Sequence, residues 1–390
     1  MEFFLDLPNI VKIPGIVFIA VFLIQAYYYL YYYSGMIFYN RKMKKGKIAY
    51  NTTKPPVSVI ICAKNEAENL ETFLPLILEQ NYPQYEVIVV NDGSTDESNE
   101  ILEKYKRKYP HLYYTFLPME AKYMSHKKIC LTVGIKAAKY ENLLLIDADC
   151  QPAGKEWIGN MVRNFTGKPE IILGYGGHKY KKGMLNKMIS FDVLFIAMQY
   201  LGFALKRKPY MGVGRNLSYK KELFFKNKGF ASHLNLVSGD DDLFVKEVAN
   251  KENTRVEFSP ESVTWSARKM TFKSFLYQKE RHLSTSPHYT FATQIKIGME
   301  ILSRILFYML FIALTAYLIN IQDYIAAGIT GGIFFLRYII QLIVINCTAG
   351  ILREKKFAFS ILFFDIILPL ISLYIFTLGR IGAKKQSMWR

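Results

Sequence analysis

The sequence predicts an α/β wound sheet carried between N- and C-terminal transmembrane helices, and three observations predict it. Apolar residues are bunched at the two ends of the 390-residue chain, short Val, Ile and Leu runs alternate with helical patterns between them, and each run leads into acidic, amide or glycine residues.

The first apolar stretch, residues 13–40, holds no charged side chain and is long enough to cross a bilayer core. It is apolar on every face, unlike a half-buried soluble helix. It is also too long for a signal-peptide core, and no small-residue cleavage site follows. The tyrosine-rich segment 27–33 suits a headgroup boundary. Arg41, Lys42, Lys44, Lys45 and Lys47 follow it, against Glu2, Asp6 and Lys12 before it, so the positive-inside rule places the next segment in the cytosol. A net charge of +18 suits nucleic acid, anionic lipid or a phosphorylated substrate. The membrane segments favour the last two, and no nucleic-acid partner is expected. Cys62, Cys130, Cys150 and Cys347 form no Cys-x-x-Cys pair, which points to reduced cytosolic thiols.

Residues 57–62, 86–90 and 143–146 read as buried parallel strands. Helical patterns at 67–79, 98–109 and 127–140 come between and after them, the order of a wound sheet. Such sheets bind ligands at the carboxyl ends of their strands. Lys64-Asn65-Glu66, Asn91-Asp92-Gly93 and Asp147-Ala148-Asp149 all fall there. Asp147 and Asp149 set two carboxylates together with no basic residue beside them in sequence. Mg2+ or Mn2+ would neutralise that charge and also take phosphate oxygens. Asp92 can accept hydrogen bonds from a base edge, Gly93 permits a tight turn, and Ser94 or Asp96 can open the helix near residue 98. The apolar run 188–205 is either an interfacial helix facing lipid or a buried core helix.

Three further apolar stretches, 305–321, 324–346 and 357–378, are near spanning length. The first two make a hairpin that returns to the basic loop 353–356, in agreement with the charge rule. The third would carry Arg380, Lys384, Lys385 and Arg390 to the far side, against it. Three true spans are expected, with Arg337 and Asp365 pairing in the bilayer because an unpaired charge there costs at least about 3 kcal/mol.

Taken together, Pro56-Val57-Ser58-Val59-Ile60-Ile61, Asn65-Glu66, Val90-Asn91-Asp92-Gly93-Ser94-Thr95-Asp96 and Asp147-Ala148-Asp149 resemble, in order and spacing, the glycosyltransferase family 2 domain with its GT-A (nucleotide-diphospho-sugar transferase) fold. The resemblance runs from about residue 54 to about residue 284. It implies that Asp92 contacts the nucleotide base, that Asn65 and Glu66 belong to the donor pocket, and that Asp147 and Asp149 hold metal and diphosphate. Lys127, four residues before Leu131 as in the family's Lys-x-x-x-Leu, is implied to lie near the donor phosphates. Ser238-Gly239-Asp240-Asp241-Asp242-Leu243 is similar to the family's Thr-Glu-Asp-x-x-Leu, which makes Asp240 the general base. Gly239 stands where the family has Glu, and this leaves Asp241 as a rival. Gln278-Lys279-Glu280-Arg281-His282 resembles the Gln-x-x-Arg-Trp of synthases related to cellulose and hyaluronan synthesis, with His282 in place of Trp. Gln278 and Arg281 then join the donor site, where Arg281 would stabilise the departing diphosphate. The alternative for Arg281 is a rim salt bridge with Glu280 or Glu261. Gly212-Val213-Gly214-Arg215-Asn216 lacks the strand and ribose acid of a dinucleotide loop, and Arg215 or Asn216 would floor the acceptor site.

The expectation is a membrane-bound, inverting, metal-dependent hexosyltransferase-type enzyme of the cytoplasmic (inner) membrane. It would move a sugar from a nucleotide-sugar donor, most commonly a uridine diphosphate sugar in the family, to a lipid-linked or glycan acceptor. Its expected parts are an anchor with basic flank (1–47), a cytosolic transferase domain (48–290) and a C-terminal region in contact with membrane lipids (291–390). A processive polysaccharide synthase and a non-catalytic nucleotide-sugar sensor are the alternatives. His282, a smaller ring than Trp and chargeable near neutral pH, favours short products. Four spans with only Arg337 and Asp365 as internal charges are few for a polymer channel.

Overall fold

The computed structural model describes residues 9–117, 126–267 and 271–382. The N-terminal apolar stretch is helical throughout: α1 (Asn9–Tyr27), one π-helical segment (Tyr28–Tyr33) and α2 (Gly35–Lys44). Its basic flank opens in the last turn of α2, where Arg41, Lys42 and Lys44 face the negative end of the helix dipole.

The central domain follows in the order β1 (Val57–Ala63), α3 (Ala67–Leu78), β2 (Tyr85–Asn91), α4 (Ser98–Lys108), β3 (Leu112–Phe116), α5 (His126–Ala137), β4 (Asn142–Leu145) and β5 (Cys150–Pro152). Next come α6 (Trp157–Val162), β6 (Ile171–Gly174), β7 (Gly176–His178), α7 (Met184–Leu205), β8 (Leu217–Lys220) and α8 (Lys221–Lys226). Then α9 (Asp242–Val248), β9 (Thr254–Glu257), β10 (Thr264–Ser266) and α10 (Phe272–Leu283) lead to the membrane region. Among the described residues, seven strands form one sheet in the order β3-β2-β1-β4-β8-β6-β9. The three strands expected from sequence pair in parallel as β2-β1-β4, with Val59 in register with Val87 and Leu144. Beyond them the sheet is mixed, because β8 runs antiparallel to both β4 and β6. A second sheet, β5-β10-β7, lies at the carboxyl edge.

Buried apolar residues cover both faces of the large sheet, as continuous Val, Ile and Leu runs require. One layer is built from α3, α4 and α6, with Leu70, Leu74, Leu102 and Trp157 buried against Val57, Val59 and Ile61. The other contains α5 and α7 and continues without a break into the membrane helices through Tyr29, Tyr33, Val344 and Phe364. The run 188–205 is thus part of the buried helix α7 rather than a lipid-facing one: Met198, Leu201 and Phe203 are fully enclosed. The sheet and the membrane bundle share one core.

Three long helices close the chain: α11 (Phe291–Asn320), α12 (Tyr324–Ile351) and α13 (Ser360–Gly382). With the N-terminal helix and α7, five helices are long and apolar enough to cross a membrane. α11 begins well before residue 305 and takes in Glu300 and Arg304, so Arg337 and Asp365 are not the bundle's sole internal charges. Arg337 and Asp365 do pair, at 2.8 Å, and Arg304 reaches the other oxygen of Asp365 at 3.5 Å while pairing with Glu300 at 2.6 Å. All four are buried. The loop between α12 and α13 lies against the central domain, where Glu354 accepts a hydrogen bond from the Tyr175 hydroxyl at 2.7 Å. This agrees with the expected hairpin. Of the residues on which the charge conflict rested, Arg380 falls within α13, and Lys384, Lys385 and Arg390 lie outside the described residues, as do Glu2 and Asp6.

Candidate active site

At the carboxyl ends of β1 and β2 two loops are stitched together. Asn65 adopts a φ of 52°, which an asparagine tolerates better than most residues. Its side chain accepts the Thr95 N–H at 2.9 Å, and its own N–H donates to Ser94 at 2.8 Å. Glu66 accepts from Asn69 at 2.5 Å. Asp96 accepts the Ala67 and Ser98 N–H groups and so caps the first turns of α3 and α4 together. Burial alone would raise its carboxyl, yet these hydrogen bonds and that of the Ser98 hydroxyl hold it below its ordinary value. Gly93 makes the turn at φ 60°. Asp92 is buried and engaged by two side chains, Lys64 at 3.2 Å and His126 at 3.0 Å. A base edge would compete with these partners for it.

The second cluster forms where β4 ends. Asp147 is not without a cation in space: Lys127, from the first turn of α5, reaches its carboxylate at 3.0 Å and that of Asp240 at 3.1 Å. The latter is a charge contact without hydrogen-bond alignment. Burial would lower the Lys127 ammonium, but Asp147, Asp240 and Asp241 raise it well above the ordinary lysine value. Asp149 accepts from Ser266 at 3.2 Å and from the Cys150 thiol at 3.2 Å. Ligand atoms of Asp147, Asp149 and Cys150 lie within 4.8 Å of one another. Burial and the nearby Asp149 push the Cys150 thiol far up, so it stays protonated and the two carboxylates are the fitting donors for a hard divalent ion.

Next to Asp147, the acid run separates into three environments. Gly239 sits at φ 99°, a backbone a glutamate would adopt only under strain, which accounts for its departure from the family's pattern. Burial would raise the Asp240 carboxyl, but Lys127 and Arg281 hold it below the ordinary range. Asp241 accepts the Gly214 N–H at 2.7 Å and the Asp242 N–H at 2.8 Å. Burial and the charges of Asp240 and Asp242 push it up to about 7. Asp242 accepts from the Thr285 and Tyr289 hydroxyls, fastening α9 to the segment after α10.

A residue that the sequence did not single out holds this run in place. Lys128, fully buried, donates to the carbonyls of His233, Leu236 and Ser238 at 2.6, 2.8 and 2.8 Å, and burial lowers its ammonium to about 8. It clips down the loop that leads into Asp240. Nothing in the helical periodicity distinguishes it from its neighbour Lys127.

Behind the acids a cavity of about 210 Å³ runs from Asp241 and Asp242 past Gln278 and His282 to Glu300 and Arg304. Arg215 lines it, with its guanidinium 3.4 Å from His178, whereas Asn216 is a buried structural residue bonded to the Tyr175 and Ser262 carbonyls. Arg281 forms no salt bridge with Glu280 or Glu261. Its charge acts on Asp240, and its Nε is buried without a hydrogen-bond partner. Lys279 pairs with Asp192 of α7 at 2.6 Å. Desolvation and the charges of Arg281, Arg215 and Lys279 push the His282 imidazole below its ordinary value. Burial and these charges both favour the neutral ring. This corrects the expectation of a ring chargeable near neutral pH.

A family model, "Glycosyl transferase family 2", matches residues 58–226. A poly-beta-1,6-N-acetyl-D-glucosamine synthase of Staphylococcus epidermidis is 33% identical over 93 residues, which are 24% of this chain and 21% of that one. Glycosyltransferase AglE of Haloferax volcanii is 33% identical over 125 residues, 32% of this chain and 40% of that one. The poly-beta-1,6-N-acetyl-D-glucosamine synthase of Staphylococcus aureus is 22% identical over 235 residues, 56% of this chain and 54% of that one. The chain thus spans no more than about half the length of these curated relatives. Among solved structures, the mannosyltransferase PcManGT from Pyrobaculum calidifontis, in complex with GDP-Man and Mn2+, superposes with a TM-score of 0.51 at 17% identity, over 86% of this chain and 98% of that one, a likeness of fold. With the ordered motifs and the mixed sheet, these findings identify residues 58–226 as a glycosyltransferase family 2 domain of GT-A fold.

Proposed function

We propose that this chain is a membrane-bound inverting glycosyltransferase that moves a sugar from a nucleotide diphosphate sugar to an acceptor presented at the cytosolic face of the cytoplasmic (inner) membrane. The observation that carries this reading is the convergence of Asp147, Asp149, Lys127, Asp240 and Asp241 at the carboxyl edge of the sheet, with a cavity opening directly behind Asp241. Asp92, with Asn65 and Glu66 bracing its loop, faces the base. Asp147 and Asp149 would hold Mg2+ or Mn2+, which supplies Lewis-acid stabilisation of the diphosphate when bound. Lys127, released from Asp147 as phosphate oxygens arrive, and Arg281 take up the charge that grows on the departing diphosphate.

The general base is assigned to Asp241 rather than Asp240. A base works best with a pKa near the operating pH, and Asp241 lies at about 7 and borders both the metal side and the cavity, whereas Asp240 is held low by Lys127 and Arg281. In the step, the acceptor O–H proton passes to Asp241 and the acceptor oxygen bonds to the anomeric carbon. The bond from that carbon to the diphosphate oxygen breaks on the opposite face. A processive synthase is the second reading, favoured by the polymer-building relatives; against it, Phe18, Val21, Phe307 and Leu314 pack together inside the helix bundle. The test is nucleotide release by the purified full-length protein given a panel of uridine and guanosine diphosphate sugars, with Mg2+ or Mn2+ and again with a chelator. Metal-dependent release with one donor supports the reading; release from none, or release indifferent to chelator, overturns it.

A further inference from the structure

The loop that joins α12 to α13 carries an acid that the reaction does not use. Arg353, at a φ of 60°, ends α12 in a left-handed turn, with the Glu354 N–H returning to the Ala349 carbonyl at 2.8 Å. Farther along, the Asn346 side chain accepts the Phe357 N–H at 2.6 Å and donates to the Phe357 carbonyl at 2.7 Å. The loop is pinned at both ends, and Glu354 is delivered onto the second sheet. Its carboxylate is partly buried there, and among the described residues no cation lies within salt-bridge distance of it. Burial pushes the carboxyl up to about 7. Enclosing an acid without a cation costs free energy, so the contact it makes is worth following.

What receives Glu354 is a junction of strands. The Tyr175 hydroxyl donates to it at 2.7 Å. A Cβ at Gly177 would stand 2.9 Å from the same carboxylate and 2.6 Å from the Trp265 ring, so glycine is what lets loop, strand and ring close together. The Tyr175 carbonyl accepts the Thr264 N–H at 3.1 Å and the Asn216 side-chain amide at 2.8 Å. From there β7 runs beside β10, with Gly177 opposite Trp265 and His178 opposite Ser266. The ladder ends on Asp149: the Ser266 hydroxyl donates to its carboxylate at 3.2 Å, and the Ala267 N–H to its carbonyl at 3.0 Å. The strand pair that Glu354 touches at Gly177 thus reaches Asp149 one register step later. Each of the three strands in this sheet has three residues, so few ladder hydrogen bonds hold it and its place depends on anchors outside it.

Resting on the transferase reading above, we infer that Glu354 is a positioning residue for the metal site: through Tyr175 and Gly177 the membrane hairpin holds the β7-β10 ladder in place, and the ladder aims the Asp149 carboxylate at the divalent ion. Hydrogen bonds to a ligating carboxylate set its orientation, and losing them weakens the metal. The hairpin is then part of the catalytic apparatus as well as an anchor. A contact that only ties the bundle to the domain would cost stability when lost and leave metal binding as it was.

The test reads metal retention rather than turnover. Mn2+ binding to the full-length protein in detergent is followed by electron paramagnetic resonance with uridine or guanosine diphosphate present, for the parent, Glu354→Ala, Glu354→Gln, Tyr175→Phe and Lys355→Ala. Glu354→Ala and Tyr175→Phe should each weaken Mn2+ binding by about tenfold, the scale for a group that orients a metal ligand. Glu354→Gln should keep the parent affinity, since its amide oxygen still accepts from Tyr175. So should Lys355→Ala, a loop neighbour whose ammonium lies over the Tyr180 ring. Amide hydrogen exchange across residues 264–267 should quicken in Glu354→Ala and not in Glu354→Gln. Mn2+ affinity within about twofold of the parent in Glu354→Ala and Tyr175→Phe, or a loss in Glu354→Gln equal to that in Glu354→Ala, overturns the inference whatever happens to thermal stability. The two failures stay apart. A parent that holds Mn2+ with neither nucleotide rejects the metal-dependent transferase reading and the inference with it; a parent that holds it, matched by its Ala variant, rejects the inference alone.

Discussion

Two clusters of charge stand at opposite ends of one cavity and behave differently because their balance differs. At the membrane end Glu300, Arg304, Asp365 and Arg337 are two acids and two bases, fully buried and mutually paired. At the sheet edge Asp147, Asp240 and Asp241 crowd around Lys127, Arg281 acts on Asp240 from α10, and Arg215 faces Asp147 and Asp149, so that four acids meet three cations. The balanced cluster has no charge left for a ligand and serves to lock helices together. The unbalanced one carries excess negative charge that a divalent ion and its diphosphate would relieve, and it keeps one carboxyl near neutrality. Burial is common to both; the surplus of acid sets the sheet edge apart.

The largest effect should come from the surplus itself. Asp149→Asn is expected to bring metal-dependent nucleotide release down to the level of a chelated control and to weaken donor binding in Mg2+ or Mn2+; turnover unchanged from the parent would remove the metal from the account. Next, Asp241→Asn should lower kcat by about two to four powers of ten while leaving donor affinity nearly intact, since it removes proton transfer alone. If donor affinity collapses with kcat, Asp241 is holding the fold or the donor instead.

The balanced cluster should respond in stability. Asp365→Ala leaves Arg337 buried without a carboxylate, at a cost of about 3–5 kcal/mol read from thermal unfolding in detergent, and Arg337→Ala, which leaves Asp365 its contact with Arg304, should cost less. The exchanged pair, Arg337→Asp with Asp365→Arg, should recover part of it, and failure to recover any would mean that the other contacts of each residue, not their mutual pairing, dominate. The smallest effect is expected at His282, where Trp should leave product size unchanged, because the packed helix bundle and not the ring limits extension. A ladder of tens of sugars from His282→Trp would show that a channel exists.

The same contrast explains what could be read from sequence. The donor side was legible because parallel strands announce themselves as apolar runs and deliver their polar tails to one edge, so Asp92, Asp147 and Asp149 could be placed before any coordinates. Lys127 is picked out only by the family resemblance, through its place four residues before Leu131. The order of Asp240 and Asp241 was not legible, since adjacent residues differ only in which neighbours they meet across the fold. Gly214 and Lys127, which separate the two, come from segments far away in the chain. Glu300 and Arg304 escaped because an apolar stretch is recognised by its lack of charge, and the helix that carries them begins before that stretch does. Lys128 escaped because three carbonyls from one loop leave no mark on a sequence pattern.

The central claim is that Asp241, raised by burial and by the acids around it, takes the acceptor proton. The base must be ionised, so kcat should rise with pH through about 7 and fall as Asp241 protonates below it. The direct measurement is the pH dependence of kcat for the parent and for Asp240→Asn. Removing the like charge of Asp240 should lower the Asp241 pKa, so the acid limb is predicted to move to lower pH while most of the plateau rate survives. Loss of the acid limb together with a rate loss of two or more powers of ten in Asp240→Asn, with Asp241→Asn keeping the parent profile, would contradict the claim and return the role of base to Asp240.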